Sequence, residues 1–495
     1  MTGRGKASPK CPNTAKIDGK ARTKCSATVQ TQTDEPSLSK AAKAHDFTPA
    51  RTNCPTQTPA KAENAKCARG PRARGPVESA IEPNPSPQQG KGARRKSPDP
   101  KQPTGSLPRN ISNPPQERQS FRRGGSTEEE PGRALVRILN QLKIKREARS
   151  KASKIKNEVV EKIKTHLEKS SNFKRIQILP TGSFFENLKI GNPDEFDVMF
   201  TIPLGRVDVQ PFGSDGAYYS VKFKRHPNHD LDEFLSDDGI LCASDMLKAF
   251  RREVKAATRT IPSLQVEPKK LSSPAVTLIL KVDDSEISID IVLGLEVGGS
   301  WPSCAQEGMA IEKWLGAKVK QQYKFKPYYL VPKHEGRANE EEGGVRAEEV
   351  WRISFSHVEK EIMKNHGSEK TCCEKKGAKC CRKQCLKLLK HLLGELKDKH
   401  PKELSKFCSY HAKTTLLHAC TERTSDGEWG LSNLHDCFPL LLQDFVRHLK
   451  DKTLPNFFIP QHNLLGSVGV KTCNDLAHHI EYELNNGFPI FNNSD

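Results

Sequence analysis

Gly182-Ser183 and, twelve residues after the serine, Glu195-Phe196-Asp197-Val198-Met199-Phe200-Thr201-Ile202 are the segments from which the rest of this chain is best read. The second segment alternates apolar and polar residues, the pattern of a half-buried strand. On a strand, residues two apart share a face, so Glu195 and Asp197 project together while Phe196 and Val198 point into a core. Two adjacent carboxylates repel each other, and a divalent cation with a preference for oxygen relieves that repulsion. Glu286-Ile287-Ser288-Ile289-Asp290-Ile291-Val292-Leu293 alternates in the same way. If the two strands are neighbours, Asp290 joins the pair. Three converging carboxylates suit a two-metal phosphoryl-transfer site, which takes Mg²⁺ or Mn²⁺. The Gly-Ser turn fits that chemistry, because glycine admits a phosphate close to the backbone while serine and amides donate hydrogen bonds. Alone, a Gly-Ser pair is common and Glu-x-Asp is ordinarily a solvated strand face; together with the later Asp290 strand the pattern is specific.

Further strand signal lies in Val276-Thr277-Leu278-Ile279-Leu280, so sheet structure is expected from about 173 to 300. Leu241 to Val254 reads as a helix between strands. Residues 348–365 (Trp351, Ile353, Val358, Ile362) and 382–398 (Leu386, Leu389, Leu393, Leu396) read as helices, and Glu340-Glu341-Glu342-Gly343-Gly344 as a loop. Residues 131–175 read as one long helix, with Leu135, Ile138, Leu139 and Leu142 and then Ile155, Val159, Ile163 and Leu167 at helical spacing. The expected class is α+β.

The chain has 495 residues and a formal net charge of +20, unevenly spread. Residues 1–130 carry 24 basic and 12 acidic side chains, 17 of the 34 prolines, and only Phe47 and Phe121 as aromatics. So few large apolar groups cannot offset the entropy of ordering a backbone, so a disordered basic tail is expected. Residues 131–175 carry 14 basic against 4 acidic groups, and 360–406 carry 14 against 6. The remainder from 131 on therefore carries a net charge of −10: an acidic core with two basic bands. In the first band too few carboxylates are present for the usual i,i+4 pairing, which favours anion binding over a merely solvated face. The chain has no apolar run of about 18 residues to span a membrane, and no apolar stretch follows its first residues as in a secretory signal. A pI near 9.3 with that distribution points to nucleic acid or another anionic surface.

His366 to Cys381 packs one histidine and four cysteines into sixteen residues filled with lysine. A structural Zn²⁺ takes thiolate and imidazole in a closed tetrahedron, and His366, Cys372, Cys373 and Cys380 supply such a set. Cys381 and Cys385 remain as spares on the next helix. Gly367 would end the preceding helix as its C′ residue. Zinc here would stiffen a surface carrying Lys370, Lys375, Lys376, Lys379, Arg382, Lys383 and Lys387. No base-reading motif accompanies it, so sequence-independent, salt-sensitive contacts to duplex phosphates are expected.

The basic tail, the basic helix, the Gly-Ser/Glu-x-Asp/Asp pattern and the His-Cys-Cys-Cys insertion together resemble the DNA-sensing Mab-21 family of the polymerase-β-like nucleotidyltransferase superfamily, over about residues 131–495. The resemblance implies a bilobal nucleotidyltransferase fold, with a twisted sheet in the N-lobe, a helical C-lobe and a zinc-held loop insertion. It divides the chain into a tail (1–130), a core with a long basic spine helix (131–300) and a helical lobe (301–495) with the insertion at about 366–381. It implies that Glu195, Asp197 and Asp290 hold two Mg²⁺ ions while ATP and GTP are joined into a mixed 2′–5′/3′–5′ cyclic dinucleotide. Thr181 and Ser183 would line the triphosphate; Arg352, Ser354 and Ser356 would hold the guanine nucleotide; Lys390 and Ser409 would reach phosphates, and Tyr410 would stack on a base. Val292, two places after Asp290, departs from the threonine of the family pattern.

The same resemblance implies activation by double-stranded DNA laid across the long helix and the insertion, with two protomers on two duplexes. Lys143, Arg146, Lys360, Lys383 and Lys387 match DNA-contacting positions, to which the band adds Lys370. Arg206 and Arg225 match arginines that anchor relatives on the nucleosome acidic patch. Cytoplasm and nucleus would be the compartments, and the tail offers a surface for DNA or an anionic membrane. Two rivals share parts of the pattern. A 2′–5′ oligoadenylate synthase has the carboxylate core, responds to double-stranded RNA and lacks the zinc insertion. A non-catalytic Mab-21-like scaffold would be expected to lose a carboxylate, and all three are present.

Overall fold

A computed structural model describes residues 131–225, 229–268, 273–282, 285–333, 340–369, 372–374 and 376–492. The expected basic tail, 1–130, lies outside the described residues, as do Lys370 and Lys375.

The basic segment at 131–175 forms two helices rather than one, α1 (Pro131–Gln141) and α2 (Arg146–Leu167). Ile155 lies thirteen positions after Leu142. On one continuous helix that spacing would turn the second apolar stripe about 140° from the first. The break lets each stripe find its own partner. α1 packs on helices of the C-terminal part, and α2 packs on α4 against the sheet.

The sheet follows in β1 (Gln177–Thr181), the one-turn helix α3 (Gly182–Phe185), β2 (Glu195–Leu204), the hairpin β3 (Val207–Phe212) and β4 (Tyr218–Phe223), α4 (Ala243–Thr258), β5 (Leu264–Val266), β6 (Ala275–Val282) and β7 (Ser285–Val297). After α5 (Ala317–Lys324), β8 (Tyr328–Val331) pairs with β7 and later with β11 (Arg352–Ser354), so the sheet continues past residue 300. The strand order is β1-β2-β7-β6-β5, with β8 and β11 attached through β7. β2 and β7 run parallel at its centre, and the other pairings are antiparallel.

Alternation sorts the faces as expected. Phe196, Val198, Phe200, Ile289, Ile291 and Leu293 are fully buried. They pack toward α4, where Phe250 meets Phe200 at 6.2 Å and Phe173 at 5.6 Å. On the opposite face Met199, Tyr329 and Val331 form a small apolar cluster, with Val292 against it.

Two local expectations give way to pairing. Residues 341–342 and 345–346 form a short hairpin, β9 (Glu341–Glu342) and β10 (Val345–Arg346), rather than a loop. Gly343 and Gly344 both have positive φ, 59° and 79°, as a type I′ turn requires. The helix expected over 348–365 starts only at Ser356, as α6 (Ser356–Lys364). Trp351 is claimed earlier by the sheet region: its main chain pairs with Tyr219 in both directions, and its indole N–H donates to Leu241 O at 2.8 Å.

The C-terminal part is helical, with α7 (Arg382–Lys399), α8 (Ser409–Glu422), α9 (Leu434–Lys450) and α10 (Val470–Asn485). One apolar core runs through sheet and helices alike, so the expected α+β class holds, with the carboxylate-bearing segments on the sheet and the basic bands largely on helices.

Candidate active site and its supports

Parallel pairing of β2 with β7 sets Asp197 directly opposite Asp290, with Glu195 opposite Ser288. The three sequence-predicted carboxylates therefore share one face. Thr277 on β6 donates from Oγ1 to Asp290 Oδ1 at 2.6 Å, and Lys189 pairs with Glu195 at 2.7 Å and Asp194 at 3.4 Å. Burial, then the charges of Glu195 and Asp290, pushes Asp197 up to about 6 against the pull of Lys413 and Lys189. Three carboxylates on one face, one of them partly buried, make an all-oxygen donor set that fits hard divalent ions.

Gly182 is required by space. Its φ is +79°, and a Cβ there would lie 1.9 Å from Asp197 Oδ2. Thr181 is buried and pairs with Asp197 across β1 and β2. Ser183 sits half-buried on α3, and its carbonyl accepts from Leu188 N and Lys189 N at 2.8 and 3.0 Å.

The segment 180–188 is gripped from both basic bands. Lys360 donates to Pro180 O, Lys383 to Glu186 O and Lys390 to Leu188 O, at 3.0, 3.0 and 2.9 Å. From α2, Arg149 donates to Phe184 O at 3.3 Å and Asn187 Oδ1 at 2.6 Å, and its guanidinium lies 4.8 Å from the Phe184 ring centroid. Lys413 on α8 bridges the carboxylates of Glu186 at 3.0 Å and Glu359 at 2.6 Å. Burial would lower Lys413, but Glu359 and Glu186 outweigh it and hold the ammonium above its usual value. Lys390 is lowered to about 8 by burial, with Lys189 adding to it.

Tyr410, expected to stack on a base, is half-buried and donates to Glu359 Oε1 at 3.0 Å. Ser409 is exposed at the first position of α8. Arg352 and Ser354 lie on β11, and Ser356 opens α6 with its buried Oγ lacking any hydrogen-bond partner.

His366 Nδ1 faces Met363 O at 2.9 Å, while its buried Nε2 has no hydrogen-bond partner. One imidazole nitrogen of His366 and the sulfurs of Cys372, Cys373 and Cys380 lie within 4.8 Å of one another. Burial and mutual repulsion push the Cys372 and Cys380 thiols up, and burial pulls His366 down to about 4. A neutral imidazole with a vacant lone pair beside three crowded sulfurs fits Zn²⁺. Gly367 is not the helix terminator expected: α6 ends at Lys364 with Asn365 as its C-cap. Glycine is needed at 367 because a Cβ there would lie 2.1 Å from Cys372 Cβ. The loop is pinned by Asp426, which accepts from Ser368 N at 2.9 Å, Glu369 N at 3.0 Å and the buried Arg382 at 2.7 Å.

Lys143 and Arg146 are exposed on the α1–α2 junction, and Lys387 on α7 is near enough that Arg149 and Lys143 help burial to lower it. Lys370 lies outside the described residues. Arg206 and Arg225 are exposed at the same end of the β3–β4 hairpin, where Lys224 N donates to Arg206 O at 3.1 Å.

With this geometry in place, the comparisons with known proteins are specific. The family model described as the Mab-21 protein nucleotidyltransferase domain matches residues 184–365, and the Mab-21 protein HhH/H2TH-like domain matches 381–482. The chain is 46% identical over 363 residues to the cyclic GMP-AMP synthase of Sus scrofa, covering 72% of each protein. The chain is a Mab-21-family nucleotidyltransferase of the cyclic GMP-AMP synthase group. Against the cyclic GMP-AMP synthase of Mus musculus the identity is 45% over 363 residues, 72% of this chain and 70% of the relative. A cyclic GMP-AMP synthase-like receptor of Magallana gigas is 27% identical, over 63% of this chain and 51% of its own. The interval between the two matched Mab-21 domains, 366–380, coincides with the His/Cys loop. Glu195, Asp197 and Asp290 fall in the first match, and Lys383, Lys387 and Lys390 in the second.

Reasoning from sequence missed Lys413, Glu186, Glu359, Thr277 and Asp426. None belongs to a motif, and only tertiary packing reveals their partners. Among the described residues, no helix is long and apolar enough to cross a membrane.

Proposed function

We propose that this chain is a double-stranded-DNA-activated nucleotidyltransferase that joins ATP and GTP into cyclic GMP-AMP with mixed 2′–5′ and 3′–5′ linkages, and so acts as a DNA sensor in innate immunity. The supporting observation is the register of β2 on β7, which sets Asp197 against Asp290 with Glu195 on the same face, beside a glycine whose added Cβ would meet Asp197. The three carboxylates would hold two Mg²⁺ or Mn²⁺ ions. When bound, such ions lower the pKa of an attacking hydroxyl and neutralise charge on departing pyrophosphate.

The chain's own residues bind and orient. Thr181, Ser183 and nearby amides would receive the triphosphate. Arg352, Ser354 and the unpartnered Ser356 Oγ would hold the guanine nucleotide, Lys390 and Ser409 phosphates, and Tyr410 a base. His366, Cys372, Cys373 and Cys380 would close around one structural Zn²⁺, leaving no open position for catalysis.

Lys143, Arg146, Lys360, Lys370, Lys383 and Lys387 would meet duplex phosphates without reading sequence. Lys360 and Lys383 also bond the backbone at 180–188. Phosphates on the basic bands would thus compete for cations that now grip the Gly-Ser segment, which supplies a physical route from DNA to the site. Two chains on two duplexes, Arg206 and Arg225 on the nucleosome acidic patch, a tail on DNA or an anionic membrane, and residence in cytoplasm and nucleus complete the reading. In its domain scheme the core spans 131–300 and the lobe 301–495, the lobe lending β8 and β11 to the core's sheet.

The decisive experiment incubates the protein with ATP, GTP, Mg²⁺ and either duplex DNA or duplex RNA, and identifies products by mass and nuclease sensitivity. A DNA-dependent cyclic product with one 2′–5′ bond is expected. Linear oligoadenylates formed with RNA, or no product with DNA, would overturn the reading.

A further inference from the structure

We propose that His400, Glu403 and His479 form a second transition-metal site, for Zn²⁺ or a similar borderline dication, separate from the His/Cys loop. His400 is the residue after α7, Glu403 lies in the turn that follows, and His479 stands on α10. The site would tie the end of α7 to α10.

One donor atom from each of the three side chains lies within 4.8 Å of the other two. His400 Nδ1 is 3.7 Å from Glu403 Oε2, and the two imidazoles stack with centroids 4.2 Å apart and planes 25° from parallel. Two imidazoles and a carboxylate are a known zinc donor set, whereas Mg²⁺ and Ca²⁺ prefer oxygen alone.

Tetrahedral bonding at zinc distances needs donors about 3.3 Å apart, so these atoms must close by up to ~1.5 Å. Stacked rings hold their in-plane lone pairs side by side, so one imidazole must turn out of the stack to share an ion; Glu403 is exposed and both histidines are only half-buried, which leaves room for that rotation. The nearby ammonium of Lys471 is paired with Asp475 at 2.9 Å, one turn before His479, which offsets its charge. Three protein ligands leave one coordination position for water or an outside donor.

The test titrates the full chain, stripped of transition metals and kept in excess Mg²⁺ so that the carboxylate site stays filled, with Zn²⁺, and with Co²⁺ as a spectroscopic probe. The wild type is expected to bind two zinc equivalents and the His400→Ala/His479→Ala variant one. Cobalt at the His/Cys loop gives intense thiolate charge-transfer absorption; cobalt at His400, Glu403 and His479 adds only weak ligand-field bands. A Cys372→Ser/Cys373→Ser variant should lose the first signal and keep the second. Glu403→Gln, at an exposed position, weakens the second signal without touching packing and serves if the double variant fails to fold. One equivalent in the wild type, or a second equivalent that survives in the double-histidine variant, overturns the proposal.

Discussion

The carboxylate site and the His/Cys loop are both crowds of like groups that repel one another without a cation, yet they are assembled in opposite ways. The loop gathers its four candidate ligands from fifteen residues, His366 to Cys380. The carboxylates come from two strands 93 residues apart, Asp197 and Asp290, and meet only through the parallel register of β2 on β7. Local spacing therefore specifies the loop, whereas the sheet as a whole specifies the carboxylate cluster. Damage should follow the same division. Changes at the carboxylates should stop chemistry and spare DNA binding, and changes at the loop should uncouple DNA from chemistry.

The largest effect is expected from Glu195→Gln with Asp197→Asn. Loss of several kcal/mol of transition-state stabilisation should lower product formation by ~10³-fold or more, while DNA affinity measured by anisotropy stays within about twofold. Full activity in this variant would sink the assignment. Gly182→Ala should come next. Its Cβ would invade the position of Asp197 Oδ2, and a loss of ~10²-fold in turnover with unchanged DNA affinity is expected, since an ångström of misplacement has that cost. Retained turnover would mean that the glycine serves only the turn.

Cys372→Ser with Cys373→Ser should lower bound zinc by one equivalent and DNA-stimulated activity by at least ~10-fold. Circular dichroism should stay near that of the wild type, because the loop lies outside the sheet. Activation that survives zinc loss would remove the loop from the DNA platform. The smallest effect is a pH dependence. Asp197 sits near 6 in the folded chain against an ordinary 3.8, so the native state binds its proton more tightly than the unfolded state does. The stabilisation from protonation is thus present at low pH and is lost as pH rises from about 4 through about 6. Above that, the ionised group destabilises the metal-free protein by up to ~3 kcal/mol. Asp197→Asn should accordingly raise the metal-free Tm at pH 7–8 and leave it unchanged below pH 4. Apparent Mg²⁺ affinity of the wild type should weaken as pH falls through 6. A pH-independent affinity over that range would show that Asp197 does not exchange a proton for metal.

Much of this molecule is legible in its sequence, and the rest is illegible for identifiable reasons. Period-two alternation gave the faces of β2 and β7 correctly, because burial of Phe196 and Ile289 leaves Asp197 and Asp290 no other side. The same kind of reading failed at 131–175. Helical spacing says nothing about phase between two stripes, and α1 and α2 turned out to serve different partners. It failed again at Trp351, where a helical pattern was overridden by pairing with Tyr219. Gly367 stands where a helix stop is expected, but its role is close approach to Cys372, not helix termination.

The sequence by itself determined the local chemistry: which residues alternate on a strand, which four can ligate zinc, and where charge is concentrated. These depend on spacing, and spacing is covalent. The tertiary structure decided everything that requires distant segments to meet. It set Asp197 beside Asp290, placed Thr277 under Asp290, joined Lys413 to Glu186 and Glu359, and turned Lys360, Lys383, Lys390 and Arg149 onto the backbone at 180–188. A lysine in a basic band carries no mark of its partner. Only the packed core fixes whether its ammonium faces water, phosphate or a carbonyl oxygen.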